Sequence, residues 1–147
     1  SDVERKRLAG LQALETSRSG LDAGIYTAEF NSRTYERMLD CARSALTAGE
    51  TVIVDAAFLR RAERNQFRSL ASEYNASFKI LHCDAPESVL RERISVRLKS
   101  GTDASEATLD VLSKQHGYWE PFAEDELAYT LRIDTTQPTS ELKRFVC

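Results

Sequence analysis

Apolar residues recur along this chain with two different spacings, and the change from one to the other marks out its elements. Three short runs are nearly continuous in apolar or β-branched residues: 51–56 (TVIVDA), 78–83 (FKILHC) and 129–134 (YTLRID). Runs of this length and content fit strands covered on both faces. Helical spacing fills the intervals. Tyr35, Met38, Leu39, Ala42, Ala45 and Leu46 share one face of a helix predicted over 28–48, and Gly49 stands where a C-terminal cap belongs. Phe67, Leu70, Ala71 and Tyr74 mark a second helix. Pro86 opens a third in its first turn, with Val89, Leu90, Ile94 and Leu98 as the buried stripe and Gly101 as the end. A fourth is predicted from Ser105 through Ala107, Leu109 and Leu112 towards Gly117.

Strands alternating with helices predict parallel βαβ units, and therefore a single α/β domain over residues 1–147. Ligands of such sheets bind beyond the carboxyl ends of the strands. The stretches to inspect are then 55–59, 84–87 and 134–138.

Composition narrows the classes. With 41% hydrophobic and 29% charged residues and few glycines and prolines, the 147 residues can bury a core without disulfide or metal. Net charge is −3 and the basic residues are spread along predicted helices, which argues against a nucleic-acid-binding surface. Cys41, Cys83 and Cys147 are odd in number and form no CxxC pair, so a reducing, cytoplasmic setting is expected. No apolar stretch approaches the length of a membrane span, and no charged-then-apolar leader opens the chain. Because the first residue is Ser, the chain is expected to be a piece of a longer or processed polypeptide.

Candidate chemistry rests on a few polar side chains. Asp55 closes an apolar run, where a carboxylate is costly unless it meets a cation or several donors. The position suits an acid that holds magnesium, and equally a capping aspartate after a strand. Asp2 and Arg5 lie one helical turn apart, so the carboxylate could take a proton while the guanidinium orients a polar substrate. Spacing alone favours a capping aspartate followed by solvated charges. Arg93 and Arg97, with Arg91 nearby, stand on the helix opened by Pro86, and like charges four apart repel unless an anion lies between them. Composition alone favours a solvated basic face neutralised by Glu87 and Glu92. His82 reads as a strand residue and His116 as surface, so no zinc site is expected. Trp119, Pro121 and Phe122 should close a small apolar cluster after the fourth helix.

Taken in order, SDVERKRL, VIVDAAFLRRAER, LHCDAPESVLRERISVR and IDTTQP resemble the P-loop kinase group that includes gluconate kinase, zeta toxin, chloramphenicol phosphotransferase and phage polynucleotide kinase. The likeness is strongest to bacterial ATP-binding domains often fused behind an aminoglycoside phosphotransferase-like domain. It covers nearly the whole chain. It implies a three-layer P-loop NTPase-like parallel sheet with helices on both faces, using ATP and Mg²⁺ to phosphorylate a hydroxyl of a small molecule. In that light Asp2 is the candidate general base and Arg5 an acceptor-binding residue. Asp55 lies near the metal. Phe58 and Arg61, with a contribution from Arg64, shape the acceptor pocket. Arg93 and Arg97 form the lid pair over the transferred group, and Asp134, Thr135, Thr136 and Pro138 pack beside adenine.

One departure from that group is large. Its members carry Gly-x-x-x-x-Gly-Lys-Ser/Thr, whose backbone amides and lysine cradle the phosphates. None of the six glycines here is followed by lysine. The chain is therefore expected to be the C-terminal portion of a kinase domain, truncated of its first strand and P-loop and inactive by itself. In the group's strand order the missing strand lies between 51–56 and 78–83, so these two must pair directly or accept another element or chain. Exposed central edges of this kind favour a homo-oligomer. The alternative is a non-catalytic α/β interaction module derived from a P-loop NTPase.

Overall fold

Thr27 starts the longest helix of the chain. Its backbone is extended and its hydroxyl accepts the Phe30 amide, which satisfies one of the donors a helix start leaves free. Helix α2 (Ala28–Thr47) runs from there to a turn in which Gly49 takes φ +79°. The computed structural model describes residues 1–20 and 22–138. Among them α2 is preceded by α1 (Asp2–Leu8) and a 3-10 turn at Gly24–Tyr26, and followed by α3 (Arg61–Glu73). Tyr35, Met38 and Ala42 of α2 bury against Phe67 and Leu70 of α3, which confirms the inward faces expected from spacing.

Residues 51–56 lie against this core through Val52, Val54 and Ala56. Thr51, Ile53 and Asp55 alternate outward, and Ile53 is 76% exposed. The alternation is that of a strand, yet no ladder forms among the described residues, so the predicted strand here is an extended segment without a partner. Pairing completes a strand, and pattern alone cannot supply it. The sheet consists of β1 (Ile80–Asp84) and β2 (Thr130–Asp134), parallel, with Ile80 opposite Thr130 and Asp84 opposite Asp134. Segments 51–56 and β1 do not pair with each other. The chain is α/β, but rich in helix, with a two-stranded sheet where three strands were expected.

Between β1 and β2 run α4 (Glu87–Ser100), α5 (Leu109–Tyr118) and α6 (Glu124–Leu127). Pro86 and Gly101 bound α4 as expected, Gly101 at φ +62°. Of the predicted stripe only Ile94 is buried, and Leu98 is 50% exposed. Apolar residues are spread round this helix, so part of them stays without cover. The fourth helix begins later than predicted. Asp103 accepts the Ser105 amide in a local turn, and Thr108 caps the helix by accepting the Val111 amide. No described helix is long and apolar enough to cross a membrane.

One buried ion pair joins the α2/α3 layer to the sheet. Arg64 of α3 donates from Nε and Nη2 to the two carboxylate oxygens of Glu126, at 2.7 and 2.9 Å, with side-chain exposures of 3% and 0%. Its remaining donor, Nη1, reaches the Phe58 carbonyl at 3.2 Å, and the guanidinium lies 4.9 Å from the Phe122 ring. Removing one partner strands the other charge in the interior. Glu126→Ala should cost about 3–5 kcal/mol in urea unfolding, whereas Arg64→Met with Glu126→Leu should recover most of it. A loss below about 1 kcal/mol in the single variant would mean that the pair does not bear this load.

Candidate functional site

The backbone nitrogen of Ser1 lies 2.5 Å from the Asp55 carbonyl oxygen, a contact between residues 54 apart. It brings the start of α1, where Asp2 is the first helical residue, to the end of the extended segment at Asp55. Both carboxylates are in contact with solvent. Arg5, one turn along α1, is buried. It donates from Nη1 to the Ile25 carbonyl at 3.0 Å and from Nη2 to Asn31 at 2.8 Å, and its guanidinium lies 5.4 Å from the Tyr26 ring. Its Nε is buried without a partner among the described residues.

Next to Arg5 sits a group that spacing did not reveal. Lys6 is 2% exposed and ion-pairs with Glu106 at 3.2 Å. Glu106 also accepts the Ser17 amide at 2.7 Å and its hydroxyl at 2.6 Å, with the Tyr26 hydroxyl at 3.5 Å. Burial pushes the Glu106 carboxyl up, but the Ser17 donors and Lys6 outweigh it and hold it below the usual value. The Tyr26 phenol is pushed up to about 12 by burial and then by the negative charges of Glu106 and Asp2.

Of the arginines on α4, Arg97 donates to the Ala107 carbonyl at 3.1 Å, and its Nε is buried without a partner among the described residues. Arg93 donates to the hydroxyl and carbonyl of Thr135, at 2.8 and 2.7 Å, tying α4 to the loop after β2. In that loop Asp134 accepts the Thr136 hydroxyl and amide, which hold its carboxyl below the ordinary range. Pro138 ends the described part, exposed. An open cleft of about 630 Å³ runs beside α4, lined among others by Val89, Glu92, Arg93, Val96 and Arg97.

The loop after 51–56 has a different character. Phe58 takes φ +46°, sparsely allowed for a side chain of that size. The Tyr35 hydroxyl accepts its amide at 3.1 Å and Arg64 binds its carbonyl, so the conformation is imposed from both sides. Its ring packs edge-on against Tyr35 and Phe67, at 5.6 and 5.2 Å. Phe58 and Arg64, expected to line a pocket, thus have the surroundings of core residues. Arg61 lies at the surface and pairs with Asp125 at 2.8 Å. His82 of β1 stacks on Trp119 and meets Phe122 edge-on, which forms the expected aromatic cluster. Among the described residues no three His, Cys, Asp or Glu are grouped to hold a metal, so any cation here would lean on Asp55, with Asp2 nearby, and on oxygens of its own ligand.

Residues 1–122 match the family described as an AAA domain. The chain belongs to that family, whose members share a P-loop NTPase-like, nucleotide-binding α/β fold. Similar proteins include uncharacterized proteins of Mycobacterium bovis and of two strains of Mycobacterium tuberculosis, each 26% identical over 138 residues. The match takes in 94% of this chain and 26% of each relative, so the AAA domain segment spans about a quarter of their length. No solved structure matches it.

Sequence pattern singled out Asp2, Arg5, Asp55, Arg93 and Arg97 as candidates. It missed Lys6, Ser17, Tyr26 and Glu106, since Glu106 lies in an irregular stretch and Lys6 looks like one charge among several in SDVERKRL. The anchorage of Glu106 is complete above pH 4.5, the value of a free carboxyl, and is lost as pH falls through its lower folded value. Amide exchange over 101–108, corrected for intrinsic rates, should quicken through that acid window, and Glu106→Gln should abolish the step.

Proposed function

We propose that the protein containing this AAA domain segment transfers the γ-phosphoryl group of ATP to a hydroxyl of a small molecule in the cytoplasm, and that these residues supply its acceptor and lid sides. The observation that supports this reading is the approach of the Ser1 nitrogen to the Asp55 carbonyl, which brings the start of α1, bearing Asp2, to the end of the extended segment, bearing Asp55. Asp2 takes the proton of the attacking hydroxyl, with Arg5 behind it fixing the α1 end and Arg61 at the rim of the acceptor side. Asp55 is the residue to hold Mg²⁺, which when bound neutralises charge on the phosphate oxygens. Arg97 and Arg93 face those oxygens from α4, and the loop of Asp134, Thr135, Thr136 and Pro138 lies beside the adenine. Phe58 and Arg64 act on the acceptor side by fixing the loop that follows Asp55.

The phosphate cradle requires a Gly-x-x-x-x-Gly-Lys-Ser/Thr arrangement that the 147 residues lack. We place it on a strand and helix entering between 51–56 and β1. Backbone groups of 51–54 have no partner among the described residues, and Ile53 and Leu81, 76% and 38% exposed, flank the opening. A second copy of the chain is the competing occupant. The absence of any Gly-Lys pair favours one other reading, an interaction module that keeps the fold without ATP chemistry.

In the full-length protein, ATP turnover should require Mg²⁺ and fall by about 10²-fold or more in Asp55→Ala and in Arg97→Ala; unchanged turnover in both would sink these roles. Calorimetry of the 147-residue chain with ATP should show no tight binding. A low micromolar dissociation constant would show that the cradle lies within it. Light scattering should give a monomer for the full-length protein, and a dimer broken by Ile53→Lys would assign the edge to a second copy.

A further inference from the structure

Glu106 occupies the irregular stretch between α4 and α5, where no helix or ladder holds the backbone. Its carboxylate carries the anchorage: two donors from Ser17 at 2.7 and 2.6 Å, the Lys6 ammonium at 3.2 Å and the Tyr26 hydroxyl at 3.5 Å. An exposed ion pair would contribute little, but Lys6 is 2% exposed, and its other contact is the Ala13 carbonyl at 3.2 Å. A buried ammonium without its carboxylate is strongly disfavoured, so the pair fixes Glu106 against α1. The adjoining residue, Ala107, offers its carbonyl to Arg97 Nη2 at 3.1 Å. Two neighbouring residues therefore hold both ends of a short bridge, with Arg97 on one side and α1, bearing Asp2 and Arg5, on the other. Tyr26 widens the bridge on the α1 side, because its hydroxyl meets Glu106 and its ring lies under the Arg5 guanidinium.

We propose that Glu106 is a positioning residue: by pinning the 101–108 stretch to Lys6 and Ser17, it sets the distance between Arg97 and the Asp2 end of α1. For what Arg97 and Asp2 do, this inference rests on the phosphotransferase reading. A phosphoryl group passing between an acceptor at Asp2 and a guanidinium at Arg97 is sensitive to that distance, since a displacement of about 1 Å can cost on the order of 10²-fold in rate. The charge matters as well as the hydrogen bonds, because a neutral amide accepts from Ser17 without answering the buried Lys6.

Two measurements test the proposal. In the full-length protein with Mg²⁺ and ATP, and water as the acceptor, Glu106→Gln should lower kcat by about tenfold or more while KM for ATP moves less than about twofold. The same substitution made on Arg97→Ala should have little further effect, and Glu106→Asp should be intermediate. Losses that multiply in full in the double variant would overturn the proposal, because Glu106 would then act by a route other than Arg97. In the 147-residue chain, nitrogen-15 spectra of the Arg97 Nε–H should show a distinct, slowly exchanging signal that Glu106→Gln averages away. An Arg97 signal indifferent to Glu106 overturns the bridge even if turnover falls. Absence of ATP turnover in the full-length protein both with water and across a panel of small-molecule hydroxyl acceptors sinks the phosphotransferase reading instead, and leaves the spectra to decide the bridge.

Discussion

Arg64 gives up nearly all its hydration to meet Glu126, and that exchange ties the α2/α3 core to the element that leads into β2. The guanidinium sits on α3, whose other inward side chains belong to the core with α2. The carboxylate sits on α6, whose last turn leads into β2. Glu126 also accepts the Ala123 amide, and its carbonyl accepts the Thr130 hydroxyl, so the same residue caps the short helix and starts the strand. With its third donor Arg64 holds the Phe58 carbonyl and so supports the positive φ of that loop. A four-residue helix has no stability of its own in water. It exists here because a buried charge needs it.

The two-stranded sheet is the second constraint. β1 and β2 satisfy each other along one edge, whereas 51–56 is seated on the core by three side chains and the backbone groups of 51–54 have no partner among the described residues. Extended backbone in that state is a template for another strand. The chain belongs to a P-loop NTPase-like family, and it spans about a quarter of the length of each relative it matches.

Around that opening the polar groups are held unequally. Asp55 is exposed and Asp2 half-buried, while Arg5, Lys6 and Glu106 are fixed by short, partly buried hydrogen bonds. Arg93 and Arg97 each bind a carbonyl on another element, so α4 is tethered at two points, to the loop after β2 and to the 101–108 stretch.

Periodicity in the sequence determined the helices with one apolar face, the two strands that find each other and the residues at their carboxyl ends. Those features are local, since Thr27, Gly49, Pro86 and Gly101 act within a few residues of themselves. The late start of α5 was local too, but depended on Asp103 and Thr108 competing for backbone groups. Tertiary structure alone decided the rest. Whether 51–56 becomes a strand depends on a partner, the role of Arg64 depends on a carboxylate 62 residues away, and Glu106 acquires meaning only when the chain brings it to Lys6 and Ser17. In each case the deciding energy is the burial or pairing of a polar group, a property of two distant positions that neither position carries alone.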